Sequence, residues 1–173
     1  VIMVLFAVMY STFSLLRHMH FGSSGFDLGI FDQAIWHYSR FEAPASTTRG
    51  VSNLLGDHFH PILVVLAPLY WIYNSVNTLL VAQGILFALA ILPIWLFVKE
   101  RLGKIPAYCF VLAYATFWGT LNAVAFDFHE IAFAVPLIAF MIYFIDQERW
   151  RNYFIAMTFL LLVKEDMSVL VAF

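Results

Sequence analysis

The chain of 173 residues is 63% hydrophobic and only 12% charged, and its mean hydropathy is +0.86. Because soluble domains carry about a quarter charged residues, this composition excludes an ordinary soluble domain and predicts an all-α polytopic membrane protein. The net charge of −2 says little about partners, but the lack of a basic patch argues against nucleic acid. The apolar composition predicts membrane lipids as partners. At roughly 20 apolar residues per crossing, the length predicts about five transmembrane helices.

The first half of the chain contains two apolar regions separated by a long polar loop. Residues 1–16 form the end of a first span, and residues 17–60 form the loop. The next 38 residues are uncharged, but one helix of that length would measure about 57 Å, against a hydrocarbon core of about 30 Å. The polar sequence NSVN at 74–77 therefore divides them into a re-entrant or interfacial segment, 61–73, and a second span, 75–98.

The second half contains three further apolar stretches, which predict spans at 105–126, 129–145 and 153–173. Lys and Arg are concentrated in the turns KERLGK (99–104) and DQERWRN (146–152), which the positive-inside rule places in the cytoplasm. The long loop then lies on the extracytoplasmic side of the plasma membrane, as do the polar sequences at the opposite ends of these spans.

Ionisable side chains are concentrated on this extracytoplasmic side. Eight of the eleven acidic residues lie in the long loop, in DFHE (127–130) or in KED (164–166), and all six histidines lie in the loop or in DFHE. Lys164 is eleven residues beyond Tyr153, about 17 Å into the membrane if the segment is helical. A charge at that depth is costly unless it lines a polar cavity or is paired. We therefore expect a water-filled cavity open to the outside, with DFHE and KED in its walls and the loop over it.

Two aspartates lie near the start of a predicted amphipathic helix, Leu28 to Phe41, whose apolar face would rest on the membrane surface. Asp27 is a candidate catalytic residue, and the alternative is that it only caps this helix. Asp32 is a candidate substrate ligand, and the alternative is an exposed position on the polar face of the helix.

The remaining polar clusters also allow two interpretations each. The carboxylates and imidazoles of DHFH (57–60) and DFHE suit a divalent cation such as Mg or Mn, with Asp57 and His129 as candidate ligands, although no strict metal motif is present. The alternative is that these histidines form hydrogen bonds that hold the loop in shape. For KED, the alternative to a functional site is an ion pair between Lys164 and a carboxylate on another helix.

Several of these stretches resemble a family of predicted prokaryotic membrane proteins, domain of unknown function 2079. The resemblance is carried, along nearly the whole chain, by FDLGIFDQAIW (26–36), DHFHPIL (57–63), APLY (67–70), DFHE and KED. The layout is in turn similar to that of the GT-C glycosyltransferases. In those enzymes an acidic residue follows the first span, an aromatic residue lies four positions later, and His-Pro precedes the next membrane segment. Asp27, Phe31 and His60-Pro61 match this pattern, but Leu28 follows Asp27 where those enzymes typically carry Asp-Glu.

The second resemblance implies a polyprenyl-phosphate sugar as donor and a hydroxyl or amine as acceptor. Asp27 would then act as general base. Charge on the leaving phosphate would be offset by Lys164, or by a metal ion that Asp127 and Glu130 hold. The residues expected to contact the substrate are Asp32, His58, His60, Lys164, Glu165 and Asp166.

Two other functional classes stay open at the level of the sequence. Ionisable residues within the membrane and short broken segments also suit an ion- or proton-coupled transporter, although no inverted repeat is evident. The third class is a structural or assembly subunit in which KED pairs with a helix of a partner.

Overall fold

The computed structural model describes residues 1–171, and these residues form helices joined by turns. The only β pairing in that range is an isolated bridge between Ser46 and Val51, so the predicted all-α class is confirmed for it. In chain order the α-helices are α1 (Ile2–Met19), α2 (Asp27–Tyr38), α3 (Ala67–Ile72), α4 (Asn77–Leu89), α5 (Ile91–Leu102), α6 (Lys104–Ala115), α7 (Trp118–Ala125), α8 (Ala134–Asp146), α9 (Trp150–Leu161) and α10 (Met167–Val171). Short 3₁₀ helices lie at Leu54–Gly56, Pro61–Leu66 and Glu130–Phe133.

Two helices in residues 1–171 are long and apolar enough to cross a membrane. These are α1, with 18 residues, and the 26-residue unit Asn77–Leu102 that α4 and α5 form together. The pair α6 and α7 is bent by 45° and makes a third span if it is counted as one broken helix. Since α8 and α9 have only 13 and 12 residues, against roughly 20 for a crossing, five separate crossings stay a prediction.

Two glycines determine how the long helices connect and pack. Gly103 has a φ of +90°, which a residue without Cβ adopts at little cost, so α5 ends there and α6 begins at the next residue. Gly84 lies against α1, where an added Cβ would come within 2.7 Å of Ser11 Oγ and 2.8 Å of Ser11 N. The missing side chain therefore allows the close approach of α1 and α4.

Helix α2 is enclosed by the rest of the protein. Leu28, Phe31 and Ile35 are buried in the core that Pro61–Leu66 forms with α3, α4, α8 and α9, and the opposite side of α2 covers Leu54. Burying a side chain of this size contributes about 1.5–3 kcal/mol relative to exposure in water. The expectation that this apolar face rests on the membrane surface is therefore wrong, because the face joins the long loop to the helices.

The two basic turns meet at one end of the molecule. The Arg101 side chain pairs with Asp146, and Gln147 Nε2 donates to Glu100 Oε2 at 2.8 Å. Helix α8 runs about 20 Å from this end to the 3₁₀ turn Glu130–Phe133. The turns and the DFHE sequence therefore lie at opposite ends of α8.

Candidate functional site

A polar cavity of about 180 Å³ lies between α2, the loop at 49–60, the DFHE sequence and the end of α9. Its apolar lining consists of Phe26, Ile30, Phe31 and Leu54. Its ionisable lining consists of Asp27, Arg49, Asp57, His58, His60, His129, Glu130 and Lys164. Seven of these eight are residues that the sequence singles out, and residues from four separate stretches of the chain thus converge on one small volume.

Asp27 enters the cavity from the first turn of α2. The helix begins at Asp27 itself, its N-cap is Phe26, and no side-chain capping hydrogen bond is formed. The interpretation of Asp27 as a cap is therefore wrong. Within residues 1–171 its carboxylate takes part in no hydrogen bond and no ion pair, and a negative charge in the first turn interacts favourably with the helix dipole.

Glu130 and Lys164 form an ion pair across the cavity wall. Lys164 Nζ lies 3.5 Å from Glu130 Oε1, and 5% of the Glu130 side chain is exposed, against 23% for Lys164. The internal ion pair considered for KED therefore exists, and its partner is the last residue of DFHE. Glu130 Oε2 is buried and has no hydrogen-bond partner within the described part of the chain.

Glu165 attaches the loop to the break between α9 and α10. Its carboxylate lies 2.7 Å from His58 Nδ1 and accepts a hydrogen bond from Phe59 N at 2.8 Å. Ile62 N also donates to Leu162 O at 3.0 Å. The role of Glu165 in this arrangement is to hold His58 and the loop over the cavity.

His60 is almost fully buried, with 2% of its surface exposed, and its ring stands edge-on to Phe31 at 6.1 Å between centroids. Burial lowers the pKa of the His60 imidazole because desolvation disfavours the charged form, and the nearby Glu130 carboxylate acts in the opposite direction. Its Nδ1 atom has no hydrogen-bond partner among residues 1–171. His60 therefore brings to the cavity an imidazole whose Nδ1 atom has no partner among the described residues.

Three of the acidic candidates lie outside the cavity. Asp127 is buried, pairs with Arg17 and accepts a hydrogen bond from Ser24 N at 2.6 Å. Asp32 accepts a hydrogen bond from Tyr70 Oη at 2.6 Å, so it is neither a free ligand nor a fully exposed residue. Asp166 is exposed at the edge of an apolar groove. Asp127 and Asp32 are engaged in contacts within the protein, and none of the three residues lines the polar cavity.

Two residues that sequence reasoning missed help to build the site. Arg49 donates to Asp57 Oδ2 from Nε at 3.0 Å and from Nη2 at 2.7 Å, which holds both side chains in the cavity wall. Gln83 is buried in α4, receives a hydrogen bond from His129 N at 3.1 Å, and donates to the carbonyl of Phe126 at 3.1 Å. A lone amide inside a long apolar span is a signal that could have identified Gln83. Nothing in the sequence distinguishes Arg49 from the other cations of the loop.

The side chains of the cavity do not fit a divalent metal ion. Across residues 1–171, no three His, Cys, Asp or Glu side chains converge as metal ligands. Asp57 and His129 both line the cavity, but Arg49 holds Asp57, and His129 Nδ1 lies 3.2 Å from the carbonyl oxygen of Asp127. Asp57 and His129 therefore offer no convergent set of ligands for Mg or Mn among the described residues.

Apolar helices of spanning length and a polar cavity formed by the connections between helices define an integral membrane protein of the all-α class. The chain belongs to the family described as "Predicted membrane protein (DUF2079)", whose model matches residues 17–173, and the predicted family is thereby confirmed. No curated protein matches the chain. No solved structure matches it either.

Proposed function

We propose that the protein is a membrane glycosyltransferase that uses a polyprenyl-phosphate sugar as donor, with Asp27 as the general base. The observation that carries the proposal is the Asp27 carboxylate, which lines the cavity and has no other partner in residues 1–171. A general base has to be free to accept a proton and within hydrogen-bond reach of it. Among the carboxylates of the cavity, Asp57 and Glu130 are engaged by cations, which leaves Asp27 for this role.

The transfer is a single displacement at the anomeric carbon. The acceptor hydroxyl or amine attacks that carbon and gives its proton to Asp27, and the bond from the carbon to the phosphate oxygen breaks. The polyprenyl phosphate leaves with the bonding electrons. Lys164 and Arg49 line the same cavity, and their positive charges offset the charge that develops on the leaving phosphate.

The size of the cavity supports a substrate that is only partly enclosed. About 180 Å³ is below the range of about 300–1,000 Å³ that encloses a drug-sized ligand. The cavity therefore takes the reacting end of the donor or the acceptor, and the lipid tail lies outside it. Large apolar side chains on the helix surfaces, among them Phe110, Ile142 and Phe159, are about half exposed and supply contacts to lipid.

In the proposed membrane arrangement the chain crosses the plasma membrane five times. The crossings are α1, α4 with α5, α6 with α7, α8 with the preceding 3₁₀ turn, and α9 with α10. The basic turns face the cytoplasm, because five Lys and Arg residues occur in their 13 positions. The cavity then opens on the extracytoplasmic side, where a flipped lipid-linked sugar is presented.

A coupled transporter is the second candidate, and the Glu130–Lys164 pair is the observation that favours it. Buried ionisable pairs in membrane proteins often carry protons or ions. The two functions differ in their energy source. Sugar transfer from an activated donor continues when a protonophore collapses the membrane potential, whereas coupled transport stops.

The proposal is tested with the full-length protein in membrane vesicles, supplied with radiolabelled polyprenyl-phosphate sugars of several kinds. We expect transfer or release of label from at least one donor, at a rate that a protonophore does not change. If no donor is consumed while vesicles accumulate a solute in a potential-dependent manner, the glycosyltransferase proposal is wrong and the transporter is correct.

A further inference from the structure

Two buried polar atoms of residues that line the cavity have no hydrogen-bond partner among residues 1–171, and neither is needed for the transfer step above. Glu130 Oε2 and His60 Nδ1 both belong to side chains that are at least nine-tenths buried and that line the same cavity. A buried polar atom without a hydrogen bond costs about 1–3 kcal/mol, so most such atoms in folded proteins have a partner. Both side chains line one small volume, and a ligand held there would supply the missing bonds.

We propose that Glu130 and His60 form a subsite for the hydroxyl groups of a neutral sugar ring. This subsite rests on the proposed function for its place in a substrate cavity, and it assigns the part of the substrate that is recognised there. It also separates the cavity into a recognition side, Glu130 and His60, and a reacting side at Asp27.

The chemistry of the two atoms selects a hydroxyl group over the other common ligand groups. Glu130 forms an ion pair with Lys164, and a carboxylate oxygen in such a pair only accepts hydrogen bonds. A phosphate oxygen has no proton to give at neutral pH, so it cannot donate a hydrogen bond to this carboxylate. A ligand ammonium would bring a second positive charge next to Lys164. A hydroxyl group donates to Glu130 without adding charge.

His60 adds a second constraint on the ligand. One ring nitrogen of a neutral imidazole donates and the other accepts, and a hydroxyl group can satisfy Nδ1 in either tautomer because it is both donor and acceptor. Phe31 lies edge-on to His60 and also contacts the ring of His129 at 5.3 Å between centroids, so the imidazole is held in place. Hydroxyl groups next to apolar ring faces are the surface that a sugar ring offers.

The experiment measures equilibrium binding and not turnover. Full-length protein in lipid nanodiscs is titrated with a panel of methyl glycosides, and binding is followed by saturation-transfer NMR. For a glycoside that binds, we expect Glu130→Gln to weaken binding about 5-fold, since a charge-assisted hydrogen bond becomes a neutral one. We expect His60→Phe to weaken it about 2- to 10-fold, since one hydrogen bond is lost while the ring packing is kept.

Matched controls change the same residue types outside the cavity. Glu42→Gln and His37→Phe alter a solvent-exposed carboxylate and the half-buried imidazole bonded to it, and they should leave glycoside binding unchanged. Deoxy analogues of the bound glycoside provide a test on the unaltered protein, which does not depend on the folding of a variant. At least one deoxy analogue should bind more weakly to the natural protein and lose no further affinity in Glu130→Gln or His60→Phe.

The outcomes separate this subsite from the proposed function. Glycoside binding that depends on Glu130 and His60, without any transfer activity, would keep the subsite and refute the glycosyltransferase. Transfer activity with glycoside binding that neither variant weakens would keep the enzyme and overturn the subsite. Failure of every glycoside to bind, with binding of inorganic phosphate that Glu130→Gln strengthens, would overturn the subsite in favour of an anion site.

Discussion

Three aspartates that look alike in the sequence have different surroundings in the structure. Asp27 lines the cavity and has no partner among residues 1–171, Asp32 accepts a hydrogen bond from Tyr70, and Asp127 pairs with Arg17. The sequence shows that a carboxylate follows a span, but it does not show which residue pairs with it. That residue can be distant in the chain, as Arg17 lies 110 positions from Asp127. The candidate set could therefore be predicted, and the division between free and engaged carboxylates could not.

The pair of Arg17 and Asp127 should be essential for stability. Asp127 is 2% exposed, so Arg17→Met leaves a buried carboxylate without its cation. Breaking a buried pair costs about 3–5 kcal/mol, and we expect the lower end because Arg17 is partly exposed. The free energy of unfolding in mixed micelles should fall by this amount, and the double variant Arg17→Met, Asp127→Asn should regain part of it. A double variant less stable than Arg17→Met would contradict the assignment.

His60 should make the stability of the protein depend on pH. Burial lowers its pKa below the ordinary value of about 6.5, so the unfolded chain binds more protons than the folded one as the pH falls below 6.5. Stability then declines toward acid by at most about 1.4 kcal/mol per pH unit for this group. Glu130 and Glu165 oppose the shift and His58 adds to it.

The contribution of His60 is isolated by comparing unfolding between pH 7.5 and pH 5.5 in the natural protein and in His60→Phe. The variant should show a flatter decline toward acid pH than the natural protein. An identical slope in the two proteins would show that His60 has the same pKa in the folded and the unfolded state.

At the scale of elements, helix α2 shows what a periodic pattern can and cannot predict. The spacing of Leu28, Phe31 and Ile35 correctly indicates a helix with one apolar face. The same face suits a membrane surface or a protein core equally well, since both are apolar. In this protein Pro61–Leu66 and Phe128, from distant parts of the chain, cover that face, so it packs against protein.

The contact between α1 and α4 depends on the absence of a side chain at position 84. Gly84→Ala places a Cβ within 2.8 Å of the Ser11 backbone nitrogen, so the helices have to separate. We expect a loss of about 1–3 kcal/mol in the free energy of unfolding, larger than the gain of about 1 kcal/mol in helix propensity. The control is Gly56→Ala, where the added Cβ has no atom within 4 Å. Equal stability of the two variants would refute the close packing.

At the scale of the whole molecule, charge is divided between two ends. The turns at 99–104 and 146–152 are joined by the Arg101–Asp146 pair, and the cavity is built from the long loop, DFHE and the end of α9. This division follows from span lengths and turn composition, so much of it could be predicted from the sequence. The polar sequence NSVN indicates the break between α3 and α4, at 73–76, whereas the break at 116–117 and the shortness of α8 and α9 depend on packing.

The proposed orientation is tested by cysteine labelling in sealed cells. Cys109 is replaced by Ala, and single cysteines are introduced at the exposed positions Ser52 and Asn152. A membrane-impermeant maleimide should label position 52 from outside and position 152 only after permeabilisation. Labelling of position 152 in intact cells would reverse the orientation.

The most direct test of the central claim is the rate of sugar transfer by Asp27→Asn relative to the natural protein. Removing a general base should lower the rate about 10²- to 10⁴-fold, while Glu42→Gln, an exposed carboxylate of the same loop, should leave it unchanged. Unfolding of Asp27→Asn is measured in parallel, and a loss of only about 0.3–1 kcal/mol is expected, because asparagine removes the charge in the first turn of α2 but breaks no hydrogen bond or ion pair within residues 1–171. A folded Asp27→Asn variant that transfers sugar at the natural rate would contradict the account.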